Sequence, residues 1–243
     1  MIERSFVIPV LDFSPHSSYN ITTLLDDLTR VTGEVICIFN SAGVFEKLRS
    51  HARIDKYCFN SLNAGVSRSW NIGLNLSEGQ AVFILNADLH VRPSAIELLQ
   101  NYLFSLENAV IAGPQGAIVD FRNLREKHYY KKGTFQKPVR VNAVSGFFFS
   151  IHRERFLEHK LMFDVQYSPC FMEEWDLGLQ VIKAGLSAYA VPVADYEHRW
   201  GITSAQANTK ISYFGHDVYR DDVIIENRKK FLTKWFGNES INR

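Results

Sequence analysis

The feature that most limits how this chain can fold is the alternation of short apolar runs with amphipathic stretches through its first half. Runs with the length and composition of strands lie at Ser5–Leu11, Glu34–Phe39, Lys56–Phe59, Ala81–Leu85 and Val110–Gly113. Between them, Asn20–Arg30 spaces Ile21, Leu24, Leu25 and Leu28 as a helix does, and Val66–Leu76 does so with Trp70, Ile72 and Leu74. Val44–His51 also reads as a helix. A further helix carries Ile96, Leu98, Leu99, Tyr102 and Leu103 on its apolar face, with Ser94 as its expected cap. Strands separated by helices join as parallel neighbours through crossovers, and such sheets bind ligands beyond the carboxyl ends of their strands. The expected fold is therefore α/β, with a mixed, mainly parallel central sheet and helices on both faces. Strands are expected to end near Leu11, Phe39, Leu85 and Phe149, with the site at those ends.

The second half is less regular. Asp120–Val139 is polar and rich in Lys, Arg and Tyr, and reads as a loop excursion. Asn142–Ile151 reads as a strand, Glu173–Ala184 as a helix ending at Gly185, Ala188–Val191 as a strand and Asp222–Phe236 as an amphipathic helix. No repeat, low-complexity tract or linker divides the chain. One domain over residues 1–243 is expected, with a Rossmann-like nucleotide-sugar-binding half (1–115) and an acceptor-binding half with the C-terminal helix (116–243).

Composition closes off several classes of function. With 46% hydrophobic and 22% charged residues among 243, the chain has an ordinary globular balance. A net charge of +1 argues against a nucleic-acid-binding surface. Cys37, Cys58 and Cys170 are odd in number and lack CxxC spacing, which points to reduced thiols in the cytoplasm. The apolar start, interrupted by Arg4 and Pro9, is too short for a signal peptide, and no apolar run is long enough to span a bilayer. Peripheral association with the inner face of a membrane stays open.

Three clusters carry chemistry. In Leu85-Asn86-Ala87-Asp88-Leu89-His90 an apolar strand runs into a carboxylate, with an imidazole two residues on. Extended spacing puts both side chains on one side, a pair suited to Mn²⁺ or Mg²⁺ on a diphosphate; the same residues also suit a simple turn. Phe171-Met172-Glu173-Glu174-Trp175-Asp176-Leu177 crowds three carboxylates into a first helical turn. Helix-dipole stabilisation accounts for one or two of them. The remaining one suits a general base toward a hydroxyl. Asp195-Tyr196-Glu197-His198-Arg199-Trp200-Gly201 offers His198 as either a ligand or a structural imidazole.

The order of these clusters brings a resemblance into view. The chain resembles the family 2 glycosyltransferases, which have the GT-A fold. Ser5-Phe6-Val7-Ile8-Pro9-Val10 is similar to that family's opening strand running into a proline. Asn63-Ala64-Gly65, Asn71-Ile72-Gly73-Leu74 and Glu78-Gly79 resemble its segment of spaced Asn and Gly residues, and Asp88-Leu89-His90 resembles its DxD-like metal motif. Ser145-Gly146-Phe147-Phe148-Phe149, Glu173-Glu174-Trp175-Asp176-Leu177, Ala184-Gly185 and His198 continue the pattern in order.

The resemblance implies an inverting, hexosyltransferase-like enzyme of polysaccharide or glycoconjugate biosynthesis. Its donor would be a nucleotide diphosphate sugar, its cofactor a divalent metal, Mn²⁺ or Mg²⁺, and its acceptor a hydroxyl on a glycan, a lipid-linked molecule or a protein. Pro9, Val10, Asp12 and Asn40 would line the nucleobase and ribose pocket, with Arg68 and Asn71 on the nucleotide side. Asp88, His90 and His198 would hold the metal. Glu174, where the family usually has the Asp of its E-D pair, would be the catalytic base, with Glu173 and Asp176 as the other candidates. Two residues depart from the family pattern: Asn40 replaces an acidic residue, and His90 replaces the second Asp of the metal motif. These departures keep a second reading open, a catalytically inactive nucleotide-sugar-binding module. A nucleotidyltransferase would show a Gly-rich phosphate loop near the first strand, and there is none.

Overall fold

The computed structural model describes residues 2–13, 17–199 and 208–237. Strand β1 (Arg4–Val10) leads through α1 (Ile21–Leu28) to β2 (Glu34–Phe39), then through α2 (Ala42–Leu48) to β3 (Lys56–Phe59). Helix α3 (Val66–Leu76) returns the chain to β4 (Ala81–Leu85). All four strands run parallel, in the order β3-β2-β1-β4. Residues of β1, β2 and β4 are almost all buried and mostly apolar, because helices cover both faces of the sheet; the buried exceptions Ser5 and Glu34 hydrogen-bond each other (2.6 Å). Alternation sends Phe6 and Ile8 into the core beneath α1, and Val7 into the opposite core beneath α3 with Trp70 and Leu74.

After β4 the chain does not continue straight. It turns at Ala87–Asp88 and restarts as β5 (Leu89–Val91) before α4 (Pro93–Ser105). Helix α4 starts on Pro93, with Arg92 in the cap position, so Ser94 is not its cap; its hydroxyl donates to Asp195 Oδ2 (2.6 Å). Leu98, expected on the apolar face, is exposed.

The second half supplies β6 (Ala109–Gly113), β7 (Gly116–Asp120), β8 (Arg125–Tyr130), β9 (Val139–Val141), β10 (Ala143–Val144) and β11 (Phe148–His152). Helix α5 (Arg153–Glu158), helix α6 (Glu173–Lys183), β12 (Ser187–Ala190), β13 (Tyr196–His198), β14 (Lys210–Tyr213), β15 (His216–Tyr219) and α7 (Arg220–Phe236) follow. Strands β11, β6, β12 and β9 extend the central sheet beyond β4, with β11 antiparallel to both β4 and β6 and β9 antiparallel to β12. The sheet is thus mixed and mainly parallel.

Two expectations change here. The stretch 120–139 is not a loop excursion: β7 and β8 form a hairpin, joined by β10 into a separate three-stranded sheet. Its polar outer strand looks like a loop in sequence because one face is solvated. The expected strand 142–151 breaks at Ser145-Gly146-Phe147, and β11 runs antiparallel, so the site end of that strand is Phe148 rather than Phe149.

Helix α6 is fastened from both sides. Asp176, fully buried, accepts hydrogen bonds from Tyr167 Oη (3.0 Å), Gln180 Nε2 (2.7 Å), Trp235 Nε1 (2.7 Å) and Lys234 Nζ (2.7 and 2.9 Å). Its entry passes through left-handed backbone at Phe171 (φ 76°) and Met172 (φ 78°), which side chains disfavour. Asn227 of α7 holds that turn by donating to the carbonyls of Tyr167, Cys170 and Phe171.

At Gly178 the helix comes so close to the chain before β10 that an added Cβ would lie 1.8 Å from the Asn142 carbonyl oxygen. A backbone oxygen cannot rotate aside, so Gly178→Ala should cost about 1–3 kcal/mol, a fall in Tm of roughly 3–10 °C by calorimetry. Gly43→Ala, in α2 with open space around it, should instead hold or raise Tm, since alanine favours a helix by about 1 kcal/mol over glycine.

Candidate active site

A cavity of about 620 Å³ opens at the carboxyl ends of β1, β2 and β4. The start of α6, residues of the β10-β7-β8 sheet and Ile211 of β14 also line it. Its lining includes Asp12, Asp88, Glu126, Glu173 and Glu174, and no lysine or arginine among the described residues.

Asp88 and His198, distant in sequence, meet because β5 pairs antiparallel with β13 and sets His198 opposite Leu89. Asp88 Oδ1 lies 3.2 Å from His198 Nε2. The imidazole is nearly buried and stacks on Phe147 with centroids 4.4 Å apart and planes 12° apart, so its ring orientation is fixed. Trp200 and Gly201, which complete this cluster in sequence, lie outside the described residues.

The structure does not bring His90 to that pair. The turn at Ala87–Asp88 interrupts the strand alternation that would have put the two side chains on one side. His90 instead packs edge-on to Tyr19 and uses both ring nitrogens, Nδ1 on Asp27 Oδ2 (2.9 Å) and Nε2 on the Ser18 carbonyl (2.5 Å). Asp27 also accepts from Val91 N (3.0 Å). His90 therefore pins the 17–20 segment, whose Tyr19 and Asn20 line the cavity, against β5.

The residues expected on the nucleotide side divide in the same way. Pro9, Asp12 and Asn40 line the cavity. Val10 does not: its side chain is in the core beneath α1, since alternation along β1 turns it inward. Asn40 is buried and fully engaged. Its amide donates to Ser69 Oγ (2.9 Å) and the Ile38 carbonyl (3.4 Å), and its oxygen accepts from Ala64 N (3.2 Å) and Asn60 Nδ2 (3.1 Å). A carboxylate could not donate to Ser69 or Ile38, which explains an amide at this position.

Arg68 and Asn71 fall outside the lining. Arg68 Nη1 donates to Ser168 Oγ (2.9 Å) and Tyr213 Oη (2.6 Å), and the guanidinium covers the Phe214 ring, so it clamps α3 to the β14–β15 hairpin. Asn71 pairs with both backbone groups of Phe163 (2.7 and 3.1 Å).

Glu174 is half-buried in the lining. An added Cβ on Gly146 would sit 2.4 Å from Glu174 Oε1, so only glycine at the strand break allows the carboxylate to close on it. Burial raises the Glu174 pKa above the usual carboxylate range, while hydrogen bonding from the Glu174 and Gly146 backbone offsets part of that rise. Glu173 is 3% exposed, and its Oε2 has no hydrogen-bond partner among the described residues. Burial first, and the neighbouring charge of Glu174 second, raise its pKa well above the ordinary range. Asp176 turns away from the cavity into its contacts with α7.

Glu126 and Trp175, which the sequence does not single out as site residues, line the cavity together with Tyr129, whose polar segment could in sequence equally close over the donor, bind the acceptor or be a solvated loop. Tyr129 Oη is 2.7 Å from Ser145 Oγ, and burial, with the charges of Glu126 and Glu174 behind it, raises its pKa. Interleaved polar and aromatic residues on a half-solvated strand give no signal distinguishable from a loop.

Glu173 makes stability fall with pH. A carboxyl whose folded pKa is raised holds its proton longer in the native than in the unfolded chain, so stability is lost as pH climbs past the unfolded value near 4.5. Glu173→Gln removes that titration and keeps the shape. Its Tm should equal the parent's below pH 4.5 and exceed it increasingly toward pH 8, measured by calorimetry across that range; a parent more stable than the variant at pH 8 would show the carboxylate to be well accommodated.

The sequence matches the family described as glycosyl transferase family 2 over residues 21–159, which includes Asp88 and stops short of Glu173, Glu174 and His198. No curated protein matches it in sequence. Among solved structures it is similar to that of GalNAc-T7 with UDP, GalNAc and Mn²⁺, at a TM-score of 0.71 and 15% identity. The similarity covers 98% of this chain and 49% of that one, so the chain spans about half the length of the structure it matches. At that identity the likeness carries the fold alone, the GT-A type. With the family matched over more than half of its residues and that fold around the cavity, the chain belongs to glycosyl transferase family 2.

Proposed function

We propose that the chain transfers a hexosyl group from a nucleotide diphosphate sugar to a hydroxyl acceptor, with inversion at the anomeric carbon. The observation that carries this reading is one cavity lined by both the Asp88–His198 pair and Glu174. In this reading residues 1–115 hold the donor and 116–243 the acceptor. The cysteines, odd in number and without CxxC spacing, are the support for a cytoplasmic setting.

The donor set fits a divalent ion. A diphosphate entering a cavity lined by five carboxylates and no lysine or arginine among the described residues needs positive charge from elsewhere. Only two protein ligands come together, and no group of three is present among the described residues. Ions such as Mg²⁺ commonly take one or two protein ligands and complete their shell with phosphate oxygens and water. Asp88 and His198 would hold the ion, Mn²⁺ or Mg²⁺, which when bound would supply Lewis-acid stabilisation of the leaving diphosphate.

The chain's own groups do the rest. Pro9 and Asp12 bound the nucleotide end, while Asn40 fixes the 60–65 segment that shapes its wall. Glu174 takes the proton of the acceptor hydroxyl as it attacks the anomeric carbon from the face opposite the diphosphate. Burial raises the pKa of this group above the ordinary carboxylate value, which makes its carboxylate a stronger base. The departures Asn40 and His90, which would favour an inactive binding module, both have structural partners that account for them.

Glu174→Gln keeps size and hydrogen bonding but removes basicity. Turnover should fall roughly 10²–10⁴-fold while nucleotide binding persists, judged by thermal stabilisation with UDP, GDP or dTDP and Mn²⁺. Normal turnover in this variant alongside loss in Glu173→Gln would move the base by one residue. Binding of nucleotide by the unaltered protein without transfer to any hydroxyl acceptor would favour the binding module.

A further inference from the structure

Charge is placed unevenly along this chain. Residues 120–140 carry seven lysines and arginines against two acidic residues, Asp120 and Glu126. That is an excess of five positive charges in a chain whose net charge is +1, so the remaining residues have an excess of four negative charges. The fold sets this basic segment on two sheet edges. Strand β8 is the outer strand of the β10-β7-β8 sheet, β9 is the last strand of the central sheet, and residues 131–138 join them. Arg125, Lys127, Lys131, Lys132, Lys137 and Arg140 are all exposed.

Little of this charge is neutralised. Lys127 lies 3.4 Å from Asp120 and Arg140 3.9 Å from Glu107, exposed pairs of small worth. Lys132 donates to the Tyr196 carbonyl (2.6 Å), which leaves its charge in place. Arg125, Lys131 and Lys137 have no ion pair among the described residues. Protecting a strand edge from aggregation needs only a charge or two on that edge. It does not account for one sign of charge continuing through the turn and onto β9.

The register of β8 relates this strip to the cavity. Val119 stands opposite Glu126 and Ile118 opposite His128, so Lys127 is an extra residue, a bulge. The bulge turns Glu126 and Tyr129, three apart in sequence, to the face that lines the cavity. His128 and Tyr130 lie on the other face with rings 4.4 Å apart, and Phe135 follows at 5.6 Å from Tyr130. None of the cations lines the cavity. They spread instead along the six residues of β8, about 20 Å of strand, and the turn after it. Exposed cations of one sign, spread rather than convergent and interleaved with amphipathic rings, suit a plane of negative charge and not an enclosed anion. The negative remainder of the chain is repelled by such a plane, which orients the protein on it.

We propose that the cations of residues 125–140 dock this protein on a membrane surface rich in anionic phospholipid. Because β8 also walls the cavity through Glu126 and Tyr129, docking there holds the cavity beside the lipid surface. This surface does not depend on the transfer chemistry.

Co-sedimentation of the full chain with vesicles of phosphatidylcholine, alone or mixed with phosphatidylglycerol, tests the proposal. The protein should sediment with the mixed vesicles and not with phosphatidylcholine alone. Binding should be lost as salt rises from about 0.1 M to about 1 M and the screening length falls from about 10 Å to about 3 Å. Lys131→Glu with Lys137→Glu should weaken binding roughly thirtyfold or more, about fivefold for each cation removed. Arg30→Glu with Arg228→Glu, an equal change of charge at exposed positions outside the segment, should bind as the parent does. Circular dichroism should show both variants folded. The proposal is overturned if the mixed vesicles do not sediment the protein, or if the two double variants bind alike. Binding of soluble polygalacturonate without binding of vesicles would also overturn it, and would make the partner an acidic polysaccharide. Thermal stabilisation by UDP, GDP or dTDP tests the donor reading separately, whatever the vesicles do.

Discussion

The buried carboxylate of Asp176 is the interaction on which the geometry of the cavity depends. It gathers donors from Tyr167, Gln180, Lys234 and Trp235, and so ties α6 to α7 and to the turn before it. An ion in that position is stable only while its partners remain; removing one side of a buried pair typically costs about 3–5 kcal/mol. The same contacts hold the left-handed residues Phe171 and Met172, with Asn227 taking up the carbonyls of the turn. That turn sends the next two side chains, Glu173 and Glu174, to the cavity. Three acidic residues in one helical turn, Glu173, Glu174 and Asp176, thus have three different environments, and it is packing rather than residue type that separates the structural carboxylate from the two lining the site.

For Asp88 and His198 the constraint is a broken strand. Had β4 continued without the turn at Ala87–Asp88, alternation would have put Asp88 and His90 on one face. The turn frees Asp88 toward the cavity, and β5 then pairs with β13 to bring in His198. His90 faces α1 and secures the 17–20 segment through Asp27 and Ser18. The imidazole in a metal-motif position is thus a brace for the wall of the site.

The first half was legible because its strands are buried on both faces and its helices have a clear apolar stripe, so β2, β3, α3 and β4 fall where periodicity puts them. The second half was not. Strand β11 enters between β4 and β6 in the opposite direction, and periodicity carries no information about direction. Strand β8 is polar and partly solvated, so Glu126 and Tyr129 were hidden in an apparent loop. The site was read through the order of its motifs, which drew attention to Asp88, Glu174 and His198. That order could not reveal that Val10 turns into the core, or that Arg68 and Asn71 are spent on holding Ser168, Tyr213 and Phe163. Such assignments depend on partners far away in the chain.

The charge of the cavity joins these elements. Five acidic residues and no lysine or arginine in the described lining leave a diphosphate without a protein cation to meet it, which is why the proposed reading pairs it with a divalent ion. The most direct measurement is a crystal structure with Mn²⁺ and the nucleoside diphosphate selected by thermal stabilisation, using the anomalous signal of the metal. The account predicts one anomalous peak within coordination distance of Asp88 and His198, with the diphosphate on it and Glu174 across the cavity. A diphosphate bound in the cavity with no metal at Asp88 and His198, or a metal peak elsewhere on the chain, would contradict it.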